Sequence, residues 1–256
     1  MSYRSVQWGV GVLMLAVAAC SEEPSGPLPA DLEALADPDV PTFEVGATGA
    51  NRGGPCTYSE SDGRFVCPEV NRNGIVITRQ FTLYDAAGNV QSQHDRLTTA
   101  SMRTETTAKG TGTGRDGGTV TVDRSGVMVV SGMEGEETQR TMNGVEHGTM
   151  TREFTGRDGA AVRMAHVVTD STQNLVVPVP RERERPWPLS GVRVHAVTST
   201  HSVGGAEPRT MTHVVRETFD GTSVVKVEIT TDRGTISCTR DLASHTSTCP
   251  MSGMRG

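Results

Sequence analysis

Aromatic residues are scarce in this chain: Trp, Tyr and Phe together make up 4% of its 256 residues. Aromatic side chains bury large areas and dominate many cores and binding surfaces. Their scarcity argues against an extended surface for stacking sugar rings. It also leaves any core to be filled by aliphatic side chains and by methionine, of which there are 11.

Lysine is almost absent, with only Lys109 and Lys226 among 24 basic residues, and the formal net charge is −6. Proteins that bind nucleic acid carry a basic patch or stripe that neutralises phosphates. This sequence has no such basic field, so we expect no nucleic-acid partner.

Familiar catalytic motifs are also lacking: the sequence contains no Gly-x-Ser-x-Gly and no His-Glu-x-x-His. Gly110-x-Gly112-x-Gly114 superficially resembles a phosphate loop, but a β-like stretch follows it where a dinucleotide site needs a helix. We interpret 109–118 as a flexible hairpin loop. The sequence predicts no cofactor, no metal site and no enzyme, and a hydrolase with an unrecognised site stays as an alternative.

No apolar run after the first twenty residues approaches membrane-spanning length. The run from Val6 to Ala19 spans about 14 residues, against the roughly 20 that a spanning helix needs. It ends in Val17-Ala18-Ala19-Cys20, which resembles the lipobox of bacterial lipoproteins. That resemblance covers residues 1–20 only. It implies a signal peptide over 1–19, a Cys20 that carries acyl chains, and attachment to a membrane, with Ser21 favouring the outer membrane of the cell envelope.

The other four cysteines are Cys56, Cys67, Cys238 and Cys249, an even number for an oxidising compartment. They form two similar Cys-Thr…Cys-Pro segments, each around a turn-like centre. Two strands joined by a short turn bring such cysteines within disulfide reach. We expect the pairs 56–67 and 238–249, with the two other connectivities left open. Zinc binding by these cysteines is not expected, because neither pair has the close spacing of a zinc site.

The chain divides by composition. Residues 20–54 are rich in proline and hold seven acidic residues without Lys or Arg up to 51, which predicts a disordered tether. We predict a first β subregion over 55–177, a Pro-rich crossover over 178–188 and a second β subregion over 189–256. The expected fold is all-β. It is a long antiparallel meander of about a dozen strands, which forms a curved half-barrel or two packed sheets.

Alternation of side chains supports this prediction. Ile75, Ile77, Phe81 and Leu83 fall on one strand face that only Arg79 interrupts. One long strand is expected over 90–107. Turns are expected wherever glycine follows a polar residue between short β-like runs. These turns are Asp85–Asn89, Arg124–Gly126, Glu134–Gly135, Asn143–Gly144, Asp158–Gly159, Asp220–Gly221 and Asp232–Gly234.

Two groups of side chains are candidate sites. Arg181, Arg183 and Arg185 project to one side of an extended segment and are a candidate contact for an anion. His195 and His213 lie on neighbouring predicted strands and are expected to meet across the sheet. We place His195 on the solvent side.

The function expected from these observations is a non-enzymatic one. The sequence indicates a cell-envelope lipoprotein with a binding or structural role. The alternative is a carrier of lipid or another apolar ligand. Its concave lining would come from the flexible side chains of Met102, Met128, Met133, Met142, Met150 and Met164. The same methionines equally suit a core that is poor in aromatic residues.

Overall fold

The fold was read from a computed structural model, which describes residues 55–114, 117–156, 158–179, 187–244 and 246–249. These residues belong to a single compact unit, Val45–Gly256. They form fourteen strands: β1 (Thr57–Ser59), β2 (Arg64–Val66), β3 (Val70–Arg72), β4 (Ile75–Asp85), β5 (Val90–Gln91), β6 (Thr99–Thr113), β7 (Thr119–Ser131), β8 (Gln139–Thr155), β9 (Ala161–Pro178), β10 (Ser190–Val203), β11 (Arg209–Phe219), β12 (Val224–Thr231), β13 (Gly234–Asp241) and β14 (Thr246–Thr248).

All fourteen strands belong to one antiparallel sheet. Its order is β1-β2-β4-β6-β7-β8-β9-β10-β11-β12-β13-β14, and β3 and β5 also pair with β4. From β6 to β14, strands that are consecutive in sequence are therefore adjacent in the sheet, as expected of a meander. The predicted all-β antiparallel meander is confirmed in its single-sheet form, and the alternative of two packed sheets is wrong. In the described part of the chain, no helix is long and apolar enough to cross a membrane.

One face of the sheet carries the buried side chains. Because alternate residues of a strand point to opposite faces, the register decides which residues share a face. Leu83, Val122, Val197 and Val227 are among the buried residues of one face, which we call the inner face. Apart from Thr99 at the start of β6, every buried residue of the described strands lies on this face. The densest packing joins Leu175, Phe219, Val225, Val227 and Cys238.

The opposite face, which we call the outer face, is rich in threonine and also exposes valines such as Val145 and Val167. Threonine hydroxyls on adjacent strands are hydrogen-bonded in pairs, as in Thr78–Thr107 at 2.7 Å and Thr200–Thr210 at 3.1 Å. Threonine is β-branched and fits the pleated surface, while its hydroxyl forms hydrogen bonds on the face that contacts solvent. The threonines therefore supply strand propensity mainly on the outer face, while Thr104 and Thr106 are buried on the inner face.

Both predicted cysteine pairs are found in the structure. The sulfur atoms lie 2.12 Å apart in Cys56–Cys67 and 2.03 Å apart in Cys238–Cys249. Each pair closes a hairpin, β1–β2 in one case and β13–β14 in the other. The guanidinium of Arg79, on the inner face of β4, donates to Cys67 Sγ at 3.5 Å. That contact explains how an arginine occupies an otherwise apolar strand face.

Two predicted turns lie inside long strands instead. Arg124–Gly126 is part of β7, and Asn143–Gly144 is part of β8. Both segments are hydrogen-bonded in the ladder between these strands, and Gly126 lies directly opposite Glu146. Pairing on both sides outweighs the local turn preference of glycine, so four expected short strands merge into two long ones.

Other predicted boundaries also shift. The strand expected over 90–107 is split into β5 and β6, with a loop between them. The glycine loop expected over 109–118 is shorter, because β6 continues to Thr113. β9 extends into the proline segment and ends at Pro178, which lies opposite Gln139. The residues at 85–89, 134–135, 158–159, 220–221 and 232–234 do fall at connections between strands, as predicted.

Candidate functional site

Four ionisable side chains from four consecutive strands meet at the centre of the inner face. They are Arg124 on β7, Glu146 on β8, Asp170 on β9 and His195 on β10, and we call them the polar cluster. The register accounts for their meeting, because Glu146 lies opposite Asp170 and Asp170 lies opposite His195. Directly opposed residues on one sheet face have Cβ atoms only about 4.5–5.5 Å apart.

The cluster is held together by a chain of charge-assisted contacts. Arg124 Nε lies 2.6 Å from Glu146 Oε1, and Arg124 Nη2 donates to Asp170 Oδ2 at 3.1 Å. The contact between Arg124 Nε and Glu146 Oε1 is an ion pair between two largely buried side chains. Asp170 Oδ1 in turn contacts His195 Nδ1. Asp170 thus links the arginine to the histidine.

Exposure increases along this chain of contacts. The side chains of Arg124 and Glu146 are 12% and 10% exposed, that of Asp170 is 33% exposed, and that of His195 is 45% exposed. The cluster therefore has a buried end at β7–β8 and an accessible end at β10. The Arg124–Glu146 pair is largely buried, and His195 is the member of the cluster that solvent reaches most easily.

Two glycines make room for the buried end. A Cβ atom built on Gly148 would lie 2.3 Å from Arg124 Cγ, and one built on Gly126 would lie 3.1 Å from Glu146 Cβ. Gly148 is opposite Arg124 in the β7–β8 ladder, and Gly126 is opposite Glu146. Each long charged side chain therefore lies against a glycine on the neighbouring strand.

Burial shifts the titration of two groups in this region. It raises the pKa of Glu146, and Asp170 adds to the rise, while the charge of Arg124 opposes it. Burial also lowers the pKa of His213, with His195 and His166 as further causes. Both shifts favour the neutral form of the group.

His213 and His166 extend the region toward one end of the sheet. The rings of His195 and His213 have centroids 6.4 Å apart. Their meeting across β10 and β11 was predicted correctly. The predicted face of His195 is wrong, because His195 lies on the inner face with the buried Val197. Its side chain is nevertheless 45% exposed there.

The contacts of the serines and histidines bear on the hydrolase alternative. His166 Nδ1 and Ser199 Oγ are 2.9 Å apart, and a Ser–His contact is one element of an activated nucleophile. The carboxylate of Asp170, four residues from His166 on β9, is bonded to Arg124 and His195 instead. A Ser223-x-x-Lys226 spacing also occurs, but Lys226 pairs with Glu228 at 3.0 Å on the outer face.

Four residues of the sequence-based proposals lie outside the described residues: the lipidation residue Cys20 and the candidate anion contacts Arg181, Arg183 and Arg185. The methionines are described. Met133 and Met164 are buried, and Met102, Met128, Met142 and Met150 are half-buried on the inner face. Met128 lies opposite Gly144, and a Cβ atom there would lie 2.8 Å from Met128 Sδ.

Arg124, Glu146 and Asp170 were missed by the sequence analysis. A signal for Arg124 exists in the sequence: Val120, Val122, Met128 and Val130 have the same parity, and a continuous strand would place Arg124 among them. The interpretation of 124–126 as a turn hid that pattern. Asp170 and Glu146 carry no comparable local signal, because only the strand register brings them together.

Comparison with known proteins gives no relative: no protein family, no curated protein and no solved structure matches this chain.

Proposed function

We propose that this protein is a cell-envelope lipoprotein that is held to the outer membrane through acyl chains on Cys20 and acts by binding, not by catalysis. The polar cluster is its contact site. The observation that carries this proposal is the graded exposure of the cluster, from a buried Arg124–Glu146 pair to an accessible His195.

The energetic argument concerns the cost of burying charge. A buried ion pair is often no more stable than apolar side chains of similar volume, because desolvation offsets the attraction. Arg124 and Glu146 therefore add little stability to the sheet that two aliphatic residues would not add. Groups with perturbed pKa values also concentrate at functional sites, and Glu146 is such a group. Both arguments favour a binding role for the cluster.

The mutual contacts of the cluster favour binding over catalysis. Asp170 is bonded to both Arg124 and His195, so its carboxylate is engaged on both oxygens. A ligand would meet groups that are already oriented, which lowers the cost of ordering side chains on binding. The partner that this surface suits is a polar group on an envelope protein or on a small ligand.

Site-specific photo-crosslinking in intact cells tests the proposal. A photoreactive residue is placed at His201, on the inner face of β10, and in a separate variant at Thr121, on the outer face of β7. We expect a discrete crosslinked product from position 201 that disappears when His195→Ala is added, and no such product from position 121. Equal products at both positions, or none at either, would contradict the proposal.

A carrier of an apolar ligand is the second candidate, because three half-buried methionines lie together on the inner face. Met102 and Met142 are both opposite Val130, and Met128 is two residues from Val130 on β7. Flexible methionine side chains suit variable apolar partners. Native mass spectrometry of the purified chain tests this candidate. A bound acyl species that is lost in Met128→Glu but kept in Thr121→Glu would support it.

A further inference from the structure

His195 and His213 form a pair of imidazoles that the polar cluster leaves open on one side. His195 Nδ1 is engaged by Asp170, so the ring presents its Nε2 away from that contact. His213 lies on β11 opposite Val197, diagonally across from His195. Their ring centroids are 6.4 Å apart and the rings are inclined by 51°.

We propose that His195 and His213 bind one divalent transition-metal ion of the kind that prefers imidazole, such as Zn²⁺. Zinc–nitrogen bonds are about 2.0–2.1 Å long, so two imidazoles bound tetrahedrally to one ion have ring centroids about 5.2 Å apart. The observed separation of 6.4 Å is about 1 Å longer than that tetrahedral value. Binding of one ion therefore requires the rings to rotate about their side-chain bonds toward each other.

Asp170 completes the arrangement as a positioning residue. Histidines that ligate a metal donate their other ring N–H to a carboxylate or a carbonyl, which fixes the tautomer and the ring orientation. The Asp170–His195 contact has that form. Arg124 holds the second oxygen of the same carboxylate at 3.1 Å, so the carboxylate itself is fixed.

Coordination by this site would be partial. In the described part of the chain, no group of three or more His, Cys, Asp or Glu side chains is arranged to hold a metal ion. The proposed site therefore supplies two protein ligands and leaves the remaining positions to water or to a ligand of the bound partner. This open coordination distinguishes the proposed site from structural zinc sites, in which four protein ligands surround the ion.

Calorimetric titration of the purified full chain with ZnCl₂ tests the proposal. We expect one ion per chain, with no such binding in His195→Ala or in His213→Ala. Asp170→Asn is expected to weaken binding by about 10-fold to 100-fold, as for other partners of ligating histidines. The matched control is His147→Ala, which removes a histidine from the outer face of β8, where it contacts Thr169, and should bind zinc like the wild type.

A second measurement needs no variant. With one equivalent of Cu²⁺ in place of zinc, electron paramagnetic resonance of the wild-type chain should show coupling to two imidazole nitrogens. Wild-type chain that binds no zinc, a double variant His195→Ala/His213→Ala that binds zinc unchanged, or a copper spectrum without two imidazole nitrogens would each overturn the proposal.

Discussion

Replacing Arg124 by methionine tests the energetic role that we assign to the polar cluster. Methionine keeps an unbranched apolar stem where Arg124 packs over Gly148 but removes the guanidinium. The Glu146 carboxylate, which is 10% exposed, then loses the cation 2.6 Å away, and Asp170 loses the donor at 3.1 Å. Removal of one partner from a buried ion pair costs about 3–5 kcal/mol. For a domain of this size the expected fall in Tm is roughly 2–4 °C for each kcal/mol.

This loss should depend on pH in a defined direction. Burial raises the folded-state pKa of Glu146 above its unfolded value. At a pH above the folded pKa, the ionised Glu146 carboxylate therefore lowers the stability of the folded protein. That cost disappears as pH falls through the folded pKa. Arg124→Met removes the positive charge that lowers the pKa of Glu146. The pKa therefore rises further in the variant, and the cost of the buried charge is relieved at a pH closer to neutral. We therefore expect Arg124→Met to cost less stability at pH 5 than at pH 8.

Urea denaturation of wild type and variants at pH 5 and pH 8 measures both effects. The double variant Arg124→Met/Glu146→Gln carries no charge at either position and should recover part of the loss at pH 8, with a smaller dependence on pH. The matched control is Lys109→Met. Lys109 pairs with Asp123 on the outer face, both side chains are about 60% exposed, and such a pair contributes about 0–1 kcal/mol. An Arg124→Met loss under 1 kcal/mol, or one equal at both pH values, would refute the reasoning.

Three further predictions concern the packing, the anchor and the disulfides. Gly148→Ala should destabilise the chain by about 1–3 kcal/mol in urea denaturation, because its Cβ would overlap Arg124 Cγ. Cys20→Ala should keep the fold and both disulfides but leave the membrane fraction on cell fractionation. A variant that stayed with the membrane would contradict the lipid anchor. Cys238→Ala/Cys249→Ala should lose about 2–5 kcal/mol of unfolding free energy, because Cys238 is buried in the core cluster.

The strands that were predicted well are those in which apolar and polar residues alternate. In β12, Val225 and Val227 are buried while Lys226 lies on the outer face, and period-two alternation alone is enough to show this. The cysteine pairs were likewise predictable, because a short hairpin fixes the separation of the residues that flank it. Both features are local, so a single sequence contains the information that they require.

The site was not predictable in the same way, because its members are brought together by register. Glu146 and Asp170 are 24 positions apart, and they face each other only because β8 and β9 pair over most of their length. A bulge at Asn174, whose φ is 47°, shifts this register within the same ladder, between Met142 and Gly144. A shift of one residue would turn a strand's side chains to the other face. The sequence does not state the register, so it could not show which charges meet.

Gly126, which misled the sequence analysis, is also one of the two glycines that make room for the site. Gly126 and Gly148 lie in strand interiors, where glycine weakens a strand and offers no side chain to pack. Their cost is explained by the long side chains opposite them, since Glu146 lies against Gly126 and Arg124 lies against Gly148. Alanine at position 148 would displace the Arg124 side chain from its place beside Asp170, whereas alanine at position 126 would only tighten the contact with Glu146. When a glycine lies among apolar residues that alternate along a strand, it can therefore indicate a large side chain directly opposite on the adjacent strand as well as a turn.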